Sequence, residues 1–466
     1  MDLFKAITTK DTFTENGMPT HSTSSNEVLD LFFKMGGWSR PSSDVINQFV
    51  KAFYSNDLLT RKAMFYHRDI RGGQGRRDTF RQMFYWLCTN HPKSAIENLK
   101  NVVEFGRWDD VLVAIGTSVE SYALDLIASA LKSGDQLCAK WMPRENKKHG
   151  NIAKLLASHL GLTPKQYRQL LAGNTHVVEN FMCAKEWGGI NYNHTPSMAV
   201  NRYRTAFWKH DATRFGAWLE SLSKPETKNK VNASAIYPHD IVRGYRFSMS
   251  KDDALLEEQW KALPNYMPTD GSKRILPVCD VSGSMNGEPM EVCVSLGLYL
   301  SERNVGPFKD GFITFSARPK LQLLKGNLRA RIQQLSTAQW DMNTNLDAVF
   351  RLILSKAIEN KVSESEMPTD ILILSDMQFD SCVSHKGASA MNMIRGMYKE
   401  AGYNLPNIIF WNLRTSSGVP VKFDESGTAL VSGFSPSVMK GLLSGALTPI
   451  KMMLNVLESE RYERVV

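Results

Sequence analysis

The six cysteines, Cys88, Cys138, Cys183, Cys279, Cys293 and Cys382, are scattered singly along 466 residues, with no C-x-x-C spacing. That excludes the usual zinc cages and argues against a disulfide frame, so buried reduced thiols are expected. The ten histidines contain no H-x-x-x-H pair on a helix, which removes imidazole as a source of metal ligands. There is no Gly-x-Ser-x-Gly elbow, no Walker loop and no Cys–His couple at a recognisable spacing. No apolar run reaches the roughly 18 to 20 residues that a bilayer crossing needs. The start, Met1-Asp2-Leu3-Phe4-Lys5, lacks a basic region followed by an apolar core. These absences predict a cytoplasmic protein that is not an enzyme and has no membrane partner; a monomer is expected.

What is present is an ordinary globular composition, 42% hydrophobic and 22% charged, on a chain long enough for two or three domains. The formal net charge is +9. It is concentrated: residues 51–100 carry ten basic against four acidic residues, and residues 201–250 carry nine against four. Such blocks favour an anionic partner.

The pattern divides the chain in two. Residues 1–22, rich in Thr, Asn and Gly, read as a flexible arm. Residues 23–263 read as an α-helical repeat domain, HEAT-like in its packing, with Gly36-Gly37 as a helix stop and Thr163-Pro164 as a helix start. Residues 264–273, with two prolines and a glycine, read as a linker. Residues 274–466 then alternate strands with helices, which predicts a Rossmann-like, doubly wound parallel sheet with an edge strand near Lys320–Leu324.

In such sheets sites form at the carboxyl ends of strands. The apolar run Ile275–Cys279 ends in Asp280-Val281-Ser282-Gly283-Ser284, and Ile371–Ser375 ends in Asp376. Thr344 stands in a loop just ahead of a helix. Asp280, Ser282, Ser284, Thr344 and Asp376 are all hard oxygen donors suited to Mg2+ or Mn2+. An ion held largely by hydroxyls keeps residual positive charge, so an incoming carboxylate or phosphate can complete its shell.

This five-point pattern resembles the metal-ion-dependent adhesion site of von Willebrand factor A domains. The resemblance implies that Ser282, Ser284 and Thr344 ligate directly, and the two aspartates directly or through water. Two positions depart from it: Met377 follows Asp376 where the family usually has Gly, and Asn343 precedes Thr344 where Gly is common.

In the first half, Arg68-Asp69-Ile70-Arg71-Gly72-Gly73-Gln74-Gly75-Arg76-Arg77-Asp78 forms a basic glycine-rich loop. With Phe105–Asp110, Ala139–Glu145, His176–Glu179, Asn232–Ala235 and Tyr237–His239, it resembles an uncharacterised family that pairs a helical region with a C-terminal A domain. The architecture is similar to that of Ro-type proteins and their TROVE domain, which bind small non-coding and misfolded RNAs. The resemblance implies RNA as a partner. Arg68, Arg71, Arg76, Arg77, Lys140, Arg144, Arg202 and Arg204 are the candidate phosphate contacts. For the glycine-rich loop the alternative is a solvated loop or one held by internal ion pairs with Asp69 and Asp78. The aromatics Tyr203, Phe207 and Trp208 are expected to pack rather than to stack on bases. The expected function is non-catalytic gripping of RNA, aided by the metal site. The rival is a scaffold whose metal binds an acidic residue of a protein partner.

Overall fold

The computed structural model describes residues 12–224, 226–233, 235–246, 253–315, 319–337, 344–380, 390–414, 418–443 and 447–466. The chain forms two compact units. One comprises Met1–Trp38, Lys51–Asn56 and Tyr237–Ser459, the other Ser39–Val50, Asp57–Ile236 and Glu460–Val466.

The first unit is α/β. Its short strands β1 (Thr12–Phe13) and β2 (Pro19–Thr20) pair with each other. The main sheet contains β3 (Ile275–Cys279), β4 (Gly311–Thr314), β5 (Leu321–Leu323), β6 (Asp370–Ser375), β7 (Asn407–Asn412) and β8 (Thr428–Ser432) in the order β5-β4-β3-β6-β7-β8. Strands β3, β6 and β8 are buried along their whole length, which is why they read as continuous apolar runs rather than alternating ones. All neighbours are parallel except β5, which runs antiparallel at the edge, so the sheet is mixed where an all-parallel one was expected. Only six residues separate the end of β4 at Thr314 from the start of β5 at Leu321, too few for the crossover that a parallel neighbour needs.

Three helices within residues 23–263, the stretch read as the helical repeat domain, belong instead to this unit. Glu27–Met35 buries Val28, Leu29, Leu31, Phe32, Phe33 and Met35, an apolar surface almost all round the helix. A helix of that kind needs partners on several sides. It finds them on the sheet, where Ser432 Oγ donates to the Phe32 carbonyl at 2.6 Å and Asn412 Nδ2 to that of Phe33 at 3.1 Å. The helices Pro238–Arg246 and Asp253–Lys261 also join it: Arg243 pairs with Glu291 at 2.6 Å and the Trp260 indole donates to Glu302 at 3.0 Å.

Residues 12–22, expected to be a loose arm, are likewise fixed to the α/β unit. Thr14 Oγ1 donates to the Phe379 carbonyl at 2.7 Å, and His21 forms a bridge with Val419.

The second unit is helical, from Asp57–Arg68 through Ala212–Leu222, with 3-10 stretches at Trp108–Ala114 and Trp187–Gly189. The last residues of the chain belong to this unit and not to the sheet: Asn101 Nδ2 donates to the Arg464 carbonyl at 2.9 Å. Among the described residues no helix is long and apolar enough to cross a membrane.

Candidate functional site

Strands β3 and β6 are paired neighbours with Cys279 opposite Leu374, so Asp280 and Asp376 leave the sheet at the same edge. The Asp280 amide donates to the Leu374 carbonyl at 2.9 Å, which carries the pairing up to the site itself. Ser282 folds back over Asp280, its amide donating to Asp280 Oδ1 at 3.0 Å. A short 3-10 turn, Gly283–Met285, then brings the Ser284 hydroxyl to 3.0 Å from that of Ser282.

Thr344 arrives from the other side, ahead of the helix Leu346–Glu359 that Asn345 caps through Ala348 at 3.0 Å. It is tied to the loop after β6. Its hydroxyl donates to the Gln378 carbonyl at 2.6 Å, and its own carbonyl accepts from the Asp380 amide at 3.1 Å. Asp280, Ser282, Thr344 and Asp376 are buried, while Ser284 is exposed at the rim. The five positions picked out by spacing thus stand on three loops at one sheet edge.

The electrostatics suit a cation. Burial, and then the charge of Asp376, push the Asp280 carboxyl up to about 6. A buried pair of carboxylates binds a proton tightly because each ionised form destabilises the other, and a divalent ion relieves the same repulsion. Thr344 directs its proton at a carbonyl, leaving oxygen lone pairs for another neighbour. The donor set is two carboxylates and three hydroxyls, which fits Mg2+ or Mn2+ and does not fit a soft metal. Among the described residues no trio of His, Cys, Asp or Glu gathers as a metal cage, so a cation at this edge would need the hydroxyls as well as the two carboxylates.

Four contributors were not picked out from the sequence. Ser375 donates to Asp280 Oδ2 at 2.6 Å and holds the carboxylate in place. Asn16 Nδ2 donates to the Gln378 carbonyl at 2.7 Å and lies 3.4 Å from Thr344 Oγ1. Gln378 accepts from the Glu15 amide at 2.7 Å. Arg414 donates to the Ser284 carbonyl. Ser375 had a signal, since it directly precedes Asp376 at a strand end. Asn16 had none, being more than three hundred residues from its partners.

Met377, standing where a glycine was anticipated by resemblance, has φ +67. The backbone keeps the left-handed shape of a glycine while the Met377 side chain is buried. Asn343, the other departure, lies outside the described residues.

The candidate RNA contacts fare differently. Arg68 is buried and pairs with the buried Asp110 at 2.7 Å. Asp110 also accepts from Arg81 at 2.6 Å; Arg81 reaches Asp109 at 2.7 Å, and Asp109 pairs with Arg107 at 2.8 Å. Arg107 in turn lies over the Trp141 ring at 3.9 Å. Arg68 is therefore an internal structural cation and cannot meet a phosphate. Lys140 pairs with Glu179 at 3.0 Å. Arg144 donates to the carbonyls of Ala139 and Met142, and burial holds its guanidinium below the usual range.

The glycines of the basic loop also serve packing. A Cβ on Gly73 would meet the Tyr66 carbonyl oxygen at 2.0 Å, and one on Gly72 would meet Arg461 Nε at 2.6 Å. Arg461 and Tyr462 close on the buried Asp69, with Arg461 Nη2 at 2.6 Å from Asp69 Oδ1 and the Tyr462 hydroxyl at 3.0 Å from Oδ2. For Arg68 and Asp69 the internal ion-pair alternative is the one realised, with Asp110 pairing Arg68 and Arg461 pairing Asp69.

Arg71, Arg77 and Arg202 remain exposed. Arg71 donates to the Glu104 carbonyl at 3.2 Å, and Arg77 pairs with its neighbour Asp78 at 2.7 Å. Arg76 and Arg204 are partly buried. Phe207 is buried against Tyr192 and Phe215, so the expectation that these aromatics pack holds at that position. Of the described cysteines Cys183 is exposed, the others are buried, and all are free; Cys382 lies outside the described residues.

Two family profiles match the chain. The domain of unknown function DUF2828 covers residues 14–127 and 127–272, and the domain of unknown function DUF7788 covers residues 274–462. The uncharacterized protein L728 of Acanthamoeba polyphaga mimivirus is 32% identical over 503 residues, spanning 96% of this chain and 87% of that protein. Among solved structures, the crystal structure of the Deinococcus radiodurans Ro (RSR) protein aligns with 94% of this chain and 100% of its own, at TM-score 0.49 and 12% identity.

Proposed function

We propose, for a chain that belongs to the DUF2828 family, that it is a non-catalytic, divalent-metal-dependent RNA-binding protein. The carrying observation is the buried Asp280–Asp376 pair and its three hydroxyls at one sheet edge. Mg2+ or Mn2+ there would be held as in the adhesion site of a von Willebrand factor A domain, and it would offer an open position to an anionic group of the partner. With the two carboxylates and three hydroxyls taken up as donors to the ion, the other described side chains at the site are the amides of Asn16 and Gln378, the Ser375 hydroxyl that is bonded to Asp280, and the Arg414 guanidinium, with no histidine, lysine or cysteine beside them to act as base or nucleophile. That favours a grip over a cut.

RNA suits the basic excess of residues 201–250 and the exposed Arg71, Arg77 and Arg202 of the helical unit. A second reading, a scaffold that grips a carboxylate of a protein partner, draws support from the internal engagement of Arg68, Lys140 and Arg144.

Filter binding of single-stranded and structured RNA separates the two. The RNA reading predicts affinity that falls steeply between about 50 and 200 mM salt, because phosphate contacts release counterions. It also predicts an EDTA-sensitive share of that affinity which Asp280→Ala removes. No binding to any RNA at the lower salt, together with EDTA-sensitive, ribonuclease-resistant capture of a protein partner, would sink the RNA reading in favour of the scaffold.

A further inference from the structure

Arg414 brings to the edge of Asp280 and Asp376 a charge that the donor set itself lacks. Ser375 of β6 is paired with Asn412 of β7, so Arg414 leaves the sheet at the same edge as Asp376. Its Nη1 donates to the carbonyl of Ser284, in the turn after β3. In the sheet β6 lies between β3 and β7. The Arg414 side chain therefore reaches back across the end of the strand that carries Asp376, and it bonds to the residue whose hydroxyl forms the exposed rim of the site.

The backbone there is fixed. The Arg414 amide donates to Asn412 Oδ1 at 3.1 Å, and the Leu413 amide donates to the Ser375 carbonyl at 3.0 Å. Arg414 is nevertheless exposed. Its Nε and Nη2 have no partner among the described residues, and no carboxylate among them pairs with its guanidinium. Glu288 and Glu291, the acidic residues that follow Ser284, are met instead by Arg243 at 3.6 and 2.6 Å. In this Arg414 differs from Arg68, Arg81 and Arg107, which are engaged by Asp109 and Asp110. A planar fork of unused N–H groups matches an oxyanion.

Charge balance gives that fork a role. Asp280 and Asp376 together offset a divalent ion, so the ligand set has no formal excess with which to draw an anion. Next to Thr344 stands another carboxylate, Asp380, with Oδ1 at 3.4 Å from Thr344 Oγ1; it does not gather with the aspartate pair. The exposed Glu15 lies on the hairpin that braces the same loop. An anion is thus repelled on the Thr344 side and attracted on the Ser284 side, where Arg414 is. The exposed positions on the attracting side, Gly283, Ser284, Asn286 and Gly287, carry no apolar side chain, and Met285 is buried. Protein interfaces centre on apolar anchors, whereas contacts to a nucleic-acid backbone are polar and cationic. A phosphodiester offers two charged oxygens, one for each cation.

We propose that Arg414 and the metal edge form a two-point clamp for one phosphodiester of a bound RNA. One non-bridging oxygen takes the open position on the ion, and the other accepts from Nε and Nη2 of Arg414. This rests on the RNA reading given above. It adds the residue that touches the RNA, the side from which the strand approaches, and a contact that is blind to base sequence.

The test compares the full chain with Arg414→Ala and Arg414→Lys. Titration with Mn2+ followed by electron paramagnetic resonance should give undiminished metal affinity in both variants, because Arg414 bonds to a carbonyl and not to a ligand oxygen. Filter binding of single-stranded RNA in Mg2+ should be weakened about tenfold or more by Arg414→Ala, alike for different sequences, with a log–log salt slope shallower by about one. Arg414→Lys should keep the slope and recover part of the affinity. In EDTA the Arg414→Ala loss should shrink, because the two halves of a clamp are coupled. An equal loss with and without Mg2+, or no loss at all, overturns the clamp and leaves the RNA reading standing. Lowered Mn2+ affinity in Arg414→Ala makes the residue a support of the ligand turn and overturns its role as a contact. If the wild type binds no RNA but binds oligoglutamate, with dependence on Mg2+ and Arg414, the phosphodiester and the RNA reading both fall in favour of a carboxylate. Binding of neither overturns both.

Discussion

Arg68 and Arg71 are three positions apart in one basic loop, yet burial gives them different work. Arg68 sits beside a fully buried Asp110, and removing it takes away one of the two guanidinium groups that hold that carboxylate, leaving Arg81. Arg68→Ala is expected to destabilise the helical unit by about 1.5 to 3 kcal/mol, the range for a lost hydrogen bond to a charged group. Arg71→Ala, exposed, should change stability by less than about 0.5 kcal/mol. Urea titration followed by circular dichroism checks the contrast. Equal, small effects would mean that the Arg68–Asp110 pair contributes little. Met377 presents a related balance: a left-handed backbone disfavoured for a residue with a Cβ, retained with a side chain whose burial is worth about 1.5 to 3 kcal/mol.

At the scale of elements, the segment from β1 to β2 brings Asn16 and Glu15 against the Asp376–Asp380 loop, and Gly17 forms a bridge with Asp380. The loop that carries Asp376 and anchors Thr344 is thus braced by the start of the chain. Removing residues 1–22 should lower the melting temperature of the α/β unit by several degrees and weaken Mg2+ stabilisation of what remains. Differential scanning fluorimetry with and without Mg2+ measures both. A truncated protein that melts and responds like the full chain would mean that the segment is the loose arm its composition suggests.

At the scale of the molecule, neither compact unit is continuous in sequence. The sheet of residues 274–466 is covered in part by the helices Glu27–Met35, Pro238–Arg246 and Asp253–Lys261. A fragment starting at residue 274 would therefore uncover the face of β8 against which Glu27–Met35 packs, the face that carries Leu430 and Ser432. Such a fragment should be aggregation-prone, and addition of the isolated residues 1–263 should not give the stability of the intact chain. Size-exclusion chromatography of the separate and mixed halves tests this. A monomeric fragment with dispersed NMR signals would show that the sheet is self-sufficient.

The sequence by itself determined the strands β3, β6, β7 and β8, the carboxyl-edge placement of Asp280 and Asp376, and the kind of ion such donors prefer. Those properties are local: an apolar run buried on both faces reads as a strand whatever surrounds it, and ligands at its end inherit their position from it. Only the tertiary structure decided what long-range burial controls. It drew the helix Glu27–Met35 onto the sheet, fixed Asn16 beside Thr344, closed Arg461 on Asp69, and turned Arg68 from a surface cation into an internal one. No window of sequence contains both partners of these contacts. Charge and glycine content look the same in a phosphate-binding loop as in one folded around its own ion pairs, and the difference lies in which side chains lose their access to water.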